Sequence, residues 1–325
     1  MGRLMRLSAT AGIALAVGLH ASAMAFGTLN VGGQSAEHER ITRVALRASG
    51  FDAASLDALA GKAGTFGAVG APDRPDRGLL FESLAHCDNG DVLPVPGYPQ
   101  TQAQARSRLE ACRAWMFDHL DRAVEDAAPL VTADLKVDAA QTPGLAPCIF
   151  NGRPGRAKCN VLEDLGLAFH AAQDFYSHSN WVDRPDAARP VGETNPPGLG
   201  NQGRAPWLDP RRPAGFPAGL MTGCFQLFPE SLPGSCVYGG GKARVRHAVL
   251  NKDTGPIDVA TGQVGLGTTA RGGVQGNFAR AVLAAEDDTR DKWLYFEEQV
   301  RARYGPGRGA KILCVIERDR PADCR

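Results

Sequence analysis

No sign of charge prevails in this chain: 36 lysines and arginines stand against 35 aspartates and glutamates, a net charge of +1. Without a basic excess, composition gives no nucleic-acid surface, and without an acidic run it gives no solvating tail. Past the N-terminus no stretch stays apolar long enough to cross a bilayer. Internal repeats, sustained heptads and Cys-x2-Cys knuckles are also missing, which argues against a four-thiolate zinc site. Alternating strand patterns are scarce. What remains is 325 residues, 43% of them hydrophobic, enough for one large domain or two ordinary ones.

The first residues, "MGRLMRLSATAGIALAVGLHASAMAFG", have the layout of a secretory signal peptide. Arg3 and Arg6 precede an apolar stretch from about Ala11 to Leu19, and "ASAMA" follows with small residues at its −3 and −1 positions. Cleavage between Ala25 and Phe26 is expected, with a secreted or periplasmic product. Losing Arg3 and Arg6 from a balance of +1 leaves −1.

Export gives the 8 cysteines a meaning, because all lie after the expected cleavage point. An even number in an oxidising compartment favours disulfides, although sequence alone does not choose among the many connectivities open to them. The close spacings Cys148/Cys159, Cys224/Cys236 and Cys314/Cys324 point to local staples and leave Cys87 with Cys112.

Helical periodicity dominates the rest. A first helix is expected over about 38–50, where Ile41, Val44 and Ala45 recur at helical spacing. The clearest amphipathic segment is 101–131, with Leu109, Cys112, Trp115, Met116, Leu120 and Val124 at steps of three and four. A third helix is expected over 160–182 with Asn160 as its cap, and a fourth over 276–305, ending at Gly305-Pro306. Between 183 and 246 proline and glycine replace these signals, as expected of a functional loop or irregular excursion. The fold class is therefore mainly α. The expected organisation is a signal peptide (1–25), a single helical domain (26–305) with the 183–246 insertion, and a disulfide-stapled tail (306–325).

The third helix carries "GLAFHAAQDFYSHSNW", with His170, Asp174 and His178 four residues apart. A step of four advances a helix by roughly 40°, so the three side chains form one narrow stripe. A single such pair fits a plain polar face. Three together are what a bundle presents to a zinc-like cation. Other candidates are His38 at the start of the first helix, His86 and Asp88 in "AHCDN", and His247 in "VRHAVLNKD". Asp88-Asn89-Gly90 is equally an ordinary turn signal. His119, between Asp118 and Asp121, reads as part of a solvated helix face and is set aside.

"HERITRVAL", "HCDN", "LGLAFHAAQDFYSHSNWVD" and "HAVLNKD", in that order, resemble the motifs of the Het-C family of heterokaryon-incompatibility proteins and its bacterial secreted relatives. That family is in turn similar to the zinc-dependent phospholipases C and the fungal single-strand nucleases, which share a helical fold and a three-metal cluster. The resemblance runs from about Phe26 to Tyr304 and is carried most by the third motif. It implies a cluster of two or three zinc ions held by His38, His86, Asp88, His170, Asp174, His178 and His247, with Asp253 as the nearest acid after His247. It also implies that the amino group of a mature Phe26 is a ligand. Asp88 is the expected general base or bridging ligand, and Asp174 could fill the bridging role instead.

Two departures stand out. The phospholipases place their next histidine six residues after the central acid, whereas here Asp174 and His178 are four apart. Their last pair is His-x3-Glu or His-x3-Asp, but four after His247 comes Asn251. The implied activity is hydrolysis of a phosphodiester, phospholipid before nucleic acid, with peripheral membrane contact. The alternative is a Het-C-like interaction or membrane-toxicity protein whose metals are structural.

Overall fold

A computed structural model describes residues 26–143, 146–226, 230, 236–238 and 241–324. The expected signal peptide lies outside them. The architecture is mainly α: α1 (Glu37–Ala45), α2 (Ala53–Ala60), α3 (Ser83–His86), α4 (Gln102–Asp126), α5 (Ala157–His178), α6 (His247–Leu250), α7 (Asn277–Tyr304) and α8 (Pro306–Glu317). The extended structure includes a two-residue hairpin, β1 (Val237–Tyr238) antiparallel to β2 (Lys242–Ala243). No helix of the described residues is long and apolar enough to cross a membrane.

α5 is the axis of the molecule. Nearly every residue from Ala157 to His178 is buried, because α4, α7 and the short helices close round it on all sides. Along its first half Val161, Leu162, Leu165 and Phe169 pack with Leu120 and Val124 of α4, Trp293 and Phe296 of α7, and Ile312 and Ile316 of α8. Along its second half Ala172, Phe175 and Tyr176 meet Phe26, Ile41, Leu109, Met116, Trp207 and Phe278. The polar stripe of His170, Asp174 and His178 is thus embedded in a helix whose other faces are core. Hydrocarbon on those faces leaves the stripe little room to reorient.

Several boundaries differ from expectation. α5 begins at Ala157, so Asn160 lies inside the first turn rather than at the cap; its Oδ1 still accepts from Gly155 N at 2.8 Å. α1 ends at Ala45 and α4 at Asp126. The tail expected after 305 contains a twelve-residue helix, α8, since Pro306 at a first helical position opens a new helix as readily as it closes an old one. The four disulfides Cys87–Cys112, Cys148–Cys159, Cys224–Cys236 and Cys314–Cys324 match the spacing argument. They fit an oxidising environment.

One glycine decides how the site is built. A Cβ on Gly166 would sit 2.4 Å from the backbone carbon of Ala68, so only glycine lets the 68–70 segment lie directly on α5. That approach brings the Val69 carbonyl to 2.8 Å from Nδ1 of His170, one turn further on. Gly166→Ala gains up to about 1 kcal/mol of helix propensity but meets backbone rather than a flexible side chain. The clash should prevail, with a net loss of about 1–3 kcal/mol in denaturant unfolding. Stability equal to the parent would mean the 68–70 segment can back away at no cost.

Candidate metal centre

Five histidines and four aspartates from distant parts of the chain converge beside α5. Their positions follow from local structure. His170, Asp174 and His178 come from the helix stripe. His38 is presented by α1, whose Ile41 and Val44 pack with Phe278 and Val282 of α7 while the helix also touches α5. His86 and Asp88 flank Cys87, whose left-handed conformation (φ 56°) ends α3 after a single turn and sends the two side chains to different parts of the cluster. Cys87 is tied to Cys112 of α4, and Asn89 is tied through its backbone and side chain to Gly223 and Phe225. The irregular insertion therefore closes over the site.

His247 opens α6, which lasts one turn before Asn251 adopts an extended conformation. Asn251 N–H still bonds the His247 carbonyl at 2.9 Å, but the chain leaves the helical conformation at that residue. The chain returns two residues later. Lys252 is fully buried, donating to the carbonyls of Ser179 and Leu250 and pairing with Asp183 at 3.0 Å. This clamp delivers Asp253, whose Oδ2 lies 3.7 Å from Nε2 of His247 and Oδ1 3.5 Å from Nε2 of His178.

The centre divides into two halves joined by Asp174. In the first, Oδ2 of Asp174 is 2.8 Å from Nδ1 of His86 and 3.0 Å from Nε2 of His170, while Oδ1 is 3.1 Å from Nε2 of His38. His38 stacks on His170 with ring centroids 4.2 Å apart. Asp73 Oδ1 stands at 3.8 Å from His170 and 4.0 Å from His86. In the second half Asp88, His178 and His247 offer ligand atoms within 4.8 Å of one another, with Asp253 beside both rings. Oδ1 of Asp174 is 3.9 Å from Nε2 of His178, which makes its carboxylate the link between halves.

The tautomers are fixed from outside. His170 Nδ1 donates to the Val69 carbonyl, while His178 Nδ1 faces both the His86 carbonyl and Oδ1 of Asp88, each at 3.0 Å. His86 Nε2 faces the Leu79 carbonyl at 3.2 Å. His38 Nδ1 donates to Oε1 of Gln173 at 2.7 Å; that amide is oriented because its nitrogen bonds Thr42 and Thr289. His247 Nδ1 is 2.8 Å from a carboxylate oxygen of Glu230. In a neutral imidazole, one committed N–H leaves the other nitrogen as a lone pair. All five lone pairs then point at carboxylate oxygens or at each other.

That arrangement repels itself unless a cation, proton or metal, lies between the groups. The outer acceptors are those that orient metal-bound histidines in general. Among the described residues, seven buried atoms of the centre have no hydrogen-bond partner: Nε2 of His38, His178 and His247, and one oxygen each of Asp73, Asp88, Asp174 and Asp253. Nitrogen and oxygen ligands at ~2.05 Å on a tetrahedral cation stand roughly 3.3 Å from each other, in line with the spacings above. The residues fit metal ions.

Without metal, protons would have to do the same work. Burial alone disfavours a charged His86, yet the hydrogen bond and charge of Asp174, helped by Asp73 and Asp88, raise it from 6.5 to about 9. Burial likewise opposes a charged His178, but Asp88, Asp174 and Asp253 hold it well above its ordinary range. Burial would push Asp174 up; the surrounding His170, His178 and His38 hold it well below the usual carboxylate range. Asp174 is thus held toward its anion, with His38, His86 and His178 held toward the charged form beside it.

Every histidine and acid expected at the centre lies in it. Phe26 is fully buried with its ring edge-on to His38 at 5.9 Å, and Gly27 N bonds the Asp253 carbonyl at 3.2 Å. Asp73 and Glu230 escaped the sequence reading: one sits in a proline-bearing turn, the other in the irregular insertion, and neither position has a periodic signature. His119 corrects the reading in the opposite sense. It is 3% exposed rather than solvated, and paired with Asp164 at 2.6 Å.

Fold and site together define a mainly helical, disulfide-bonded protein with a buried histidine–carboxylate centre able to hold metal. Neither a family model nor a solved structure matches the chain. Human von Willebrand factor A domain-containing protein 7 is 38% identical over 111 residues, covering 28% of this chain and 12% of that protein. The chain thus spans a small part of the length of the curated relative it matches.

Proposed function

We propose that this is a secreted zinc-dependent phosphoric diester hydrolase, a Het-C-like relative of the phospholipases C. The observation carrying the proposal is the set of imidazole lone pairs aimed at carboxylates, with each ring's other nitrogen committed elsewhere. Two or three cations there would supply Lewis acidity toward a phosphate and a water acidified toward neutrality. His86, His170, His38, Asp73 and Asp174 would hold one part of such a cluster, and His178, His247, Asp88 and Asp253 the other, with Asp174 between. Asp73 is the acid with most exposure, its side chain 12% accessible, and so marks the side from which a substrate would arrive. Phe81, 57% exposed, stacks on Phe225, which in turn meets His247 edge-on. The four disulfides accord with export.

A second reading is favoured by a specific observation: His170, His178, His247, Asp174 and Asp253 have no exposed surface at all. Closed sites suit structural metals. Elemental analysis of the purified protein, followed by assays of the zinc-loaded form on phosphatidylcholine vesicles and single-stranded DNA, separates the two. The hydrolase reading expects headgroup release that depends on bound zinc and stops when the zinc is chelated. Two or three metals per chain with no cleavage of either substrate would leave the structural reading. A protein that takes up no metal would end both.

A further inference from the structure

Cys87 lies between two residues of the metal centre, one from each half of it. His86 turns Nδ1 to Asp174 in the first half, 2.8 Å away. In the second half Asp88 stands 3.0 Å from Nδ1 of His178, and the same nitrogen faces the His86 carbonyl at 3.0 Å. A shift of residues 86–88 would therefore disturb both halves at once.

Little in their own backbone holds these residues in place. α3 is four residues long, too short to be stable by itself. Cys87 follows it with a φ of 56°, which a residue other than glycine adopts where its surroundings impose it. On the Asp88 side, hydrogen bonds tie Asn89 and Gly90 to residues 222–225. The covalent tie is Cys87–Cys112. Cys112 shares the buried face of α4 with Leu109 and Met116, in one core with Ala171, Ala172 and Phe175 of α5. The disulfide thus fastens residues 86–88 to the helix pair that carries His170, Asp174 and His178. Both its cysteines are 1% exposed, so the closed bond is shielded from reductants in solution. Cys148–Cys159 makes a natural contrast: it staples the far end of α5, and neither cysteine adjoins a residue of the centre.

We infer that Cys87–Cys112 is a redox lock on the metal centre: its closure sets His86 and Asp88 against α5, and the chain holds zinc tightly only once it has closed. The inference rests on the reading of the centre as a metal site. Closure takes two electrons and two protons from the two thiols and passes them to a disulfide oxidant, which leaves as two thiols. A reducing compartment keeps the cysteines as thiols, so tight loading is confined to an oxidising one.

Zinc competition between the full chain and a chromogenic chelator tests the lock, with Cys87→Ala/Cys112→Ala measured beside Cys148→Ala/Cys159→Ala. Alanine leaves no thiol that could bind zinc itself. Both variants should lose thermal stability, as broken disulfides generally do. Only the first should lose zinc affinity, by about 10–100-fold, the range seen when the groups that orient metal ligands are disturbed. Parent-like affinity in Cys87→Ala/Cys112→Ala overturns the lock and leaves the metal centre standing. An equal loss in Cys148→Ala/Cys159→Ala also overturns it, because the effect would then be one of general stability. A parent that binds no zinc removes the metal reading and the lock with it. Where Cys87→Ala/Cys112→Ala does not fold, oxidative refolding of the parent takes its place. Chelator-resistant zinc should then appear together with the Cys87–Cys112 bond, followed by peptide mass spectrometry, and resistant zinc held before that bond forms overturns the inference.

Discussion

Asp174→Asn should empty the metal centre and lower stability by about 3–5 kcal/mol, the cost of leaving buried charges without their partner. In a chain of this size that corresponds to a fall in Tm of roughly 5–8 °C. The asparagine keeps the volume, so packing of α5 is preserved and the effect isolates charge. Three ring nitrogens lie within 3.1 Å of this one carboxylate, and among the described residues no other acid stands that close to His38, His86 and His170 together. Leu165→Ala, from the core half of the same helix, should cost about 2–5 kcal/mol while leaving metal content intact. Elemental analysis beside thermal unfolding checks both variants. Full metal occupancy in Asp174→Asn would remove this carboxylate from the centre.

Metal removal should have the second large effect, and one whose size depends on pH in a stated direction. A ligand at a thousand times its Kd stabilises by about 4 kcal/mol per site, all of it lost on chelation. In the stripped protein a proton on His86 stands in for the cation. Its folded pKa of about 9 lies above the unfolded 6.5, so that contribution is complete below about 6.5 and disappears as pH rises through 9. The loaded protein needs the same proton gone, so metal binds more tightly over the same interval. The gap in Tm between loaded and stripped protein should therefore widen steadily from pH 6.5 to 9. Scanning both forms across that range measures it. A constant gap would mean that protons and metal do not compete at these histidines.

Most of the helical frame was legible because periodicity is a local property. α4, α5 and α7 each carry apolar residues at steps of three and four over many turns, and their existence required no knowledge of neighbours. Boundaries were less legible, since Asn160 makes a cap-like bond from inside the helix and Pro306 both ends one helix and begins another. His119 was misread for a related reason. Asp118 and Asp121 beside it are exposed, but His119 shares the buried face with Met116, Leu120 and Ala123, so its own angle on the helix, rather than its neighbours in sequence, set its burial.

The stripe of His170, Asp174 and His178 and the three short disulfide loops were legible in the order of residues, because each depends on partners close by on a regular helix or loop; Cys87–Cys112, 25 residues apart, was only the pair left over. Tertiary structure decided the rest. Which carboxylate faces which imidazole, that Asp253 rather than Asn251 answers His247, and that Asp73 and Glu230 belong beside them follow from a close approach at Gly166, a helix cut short at Leu250 and a lysine buried against Asp183. Contacts at the centre join residues far apart in the chain, 135 positions between His38 and Gln173, and no local pattern encodes a meeting whose geometry only the packed chain defines.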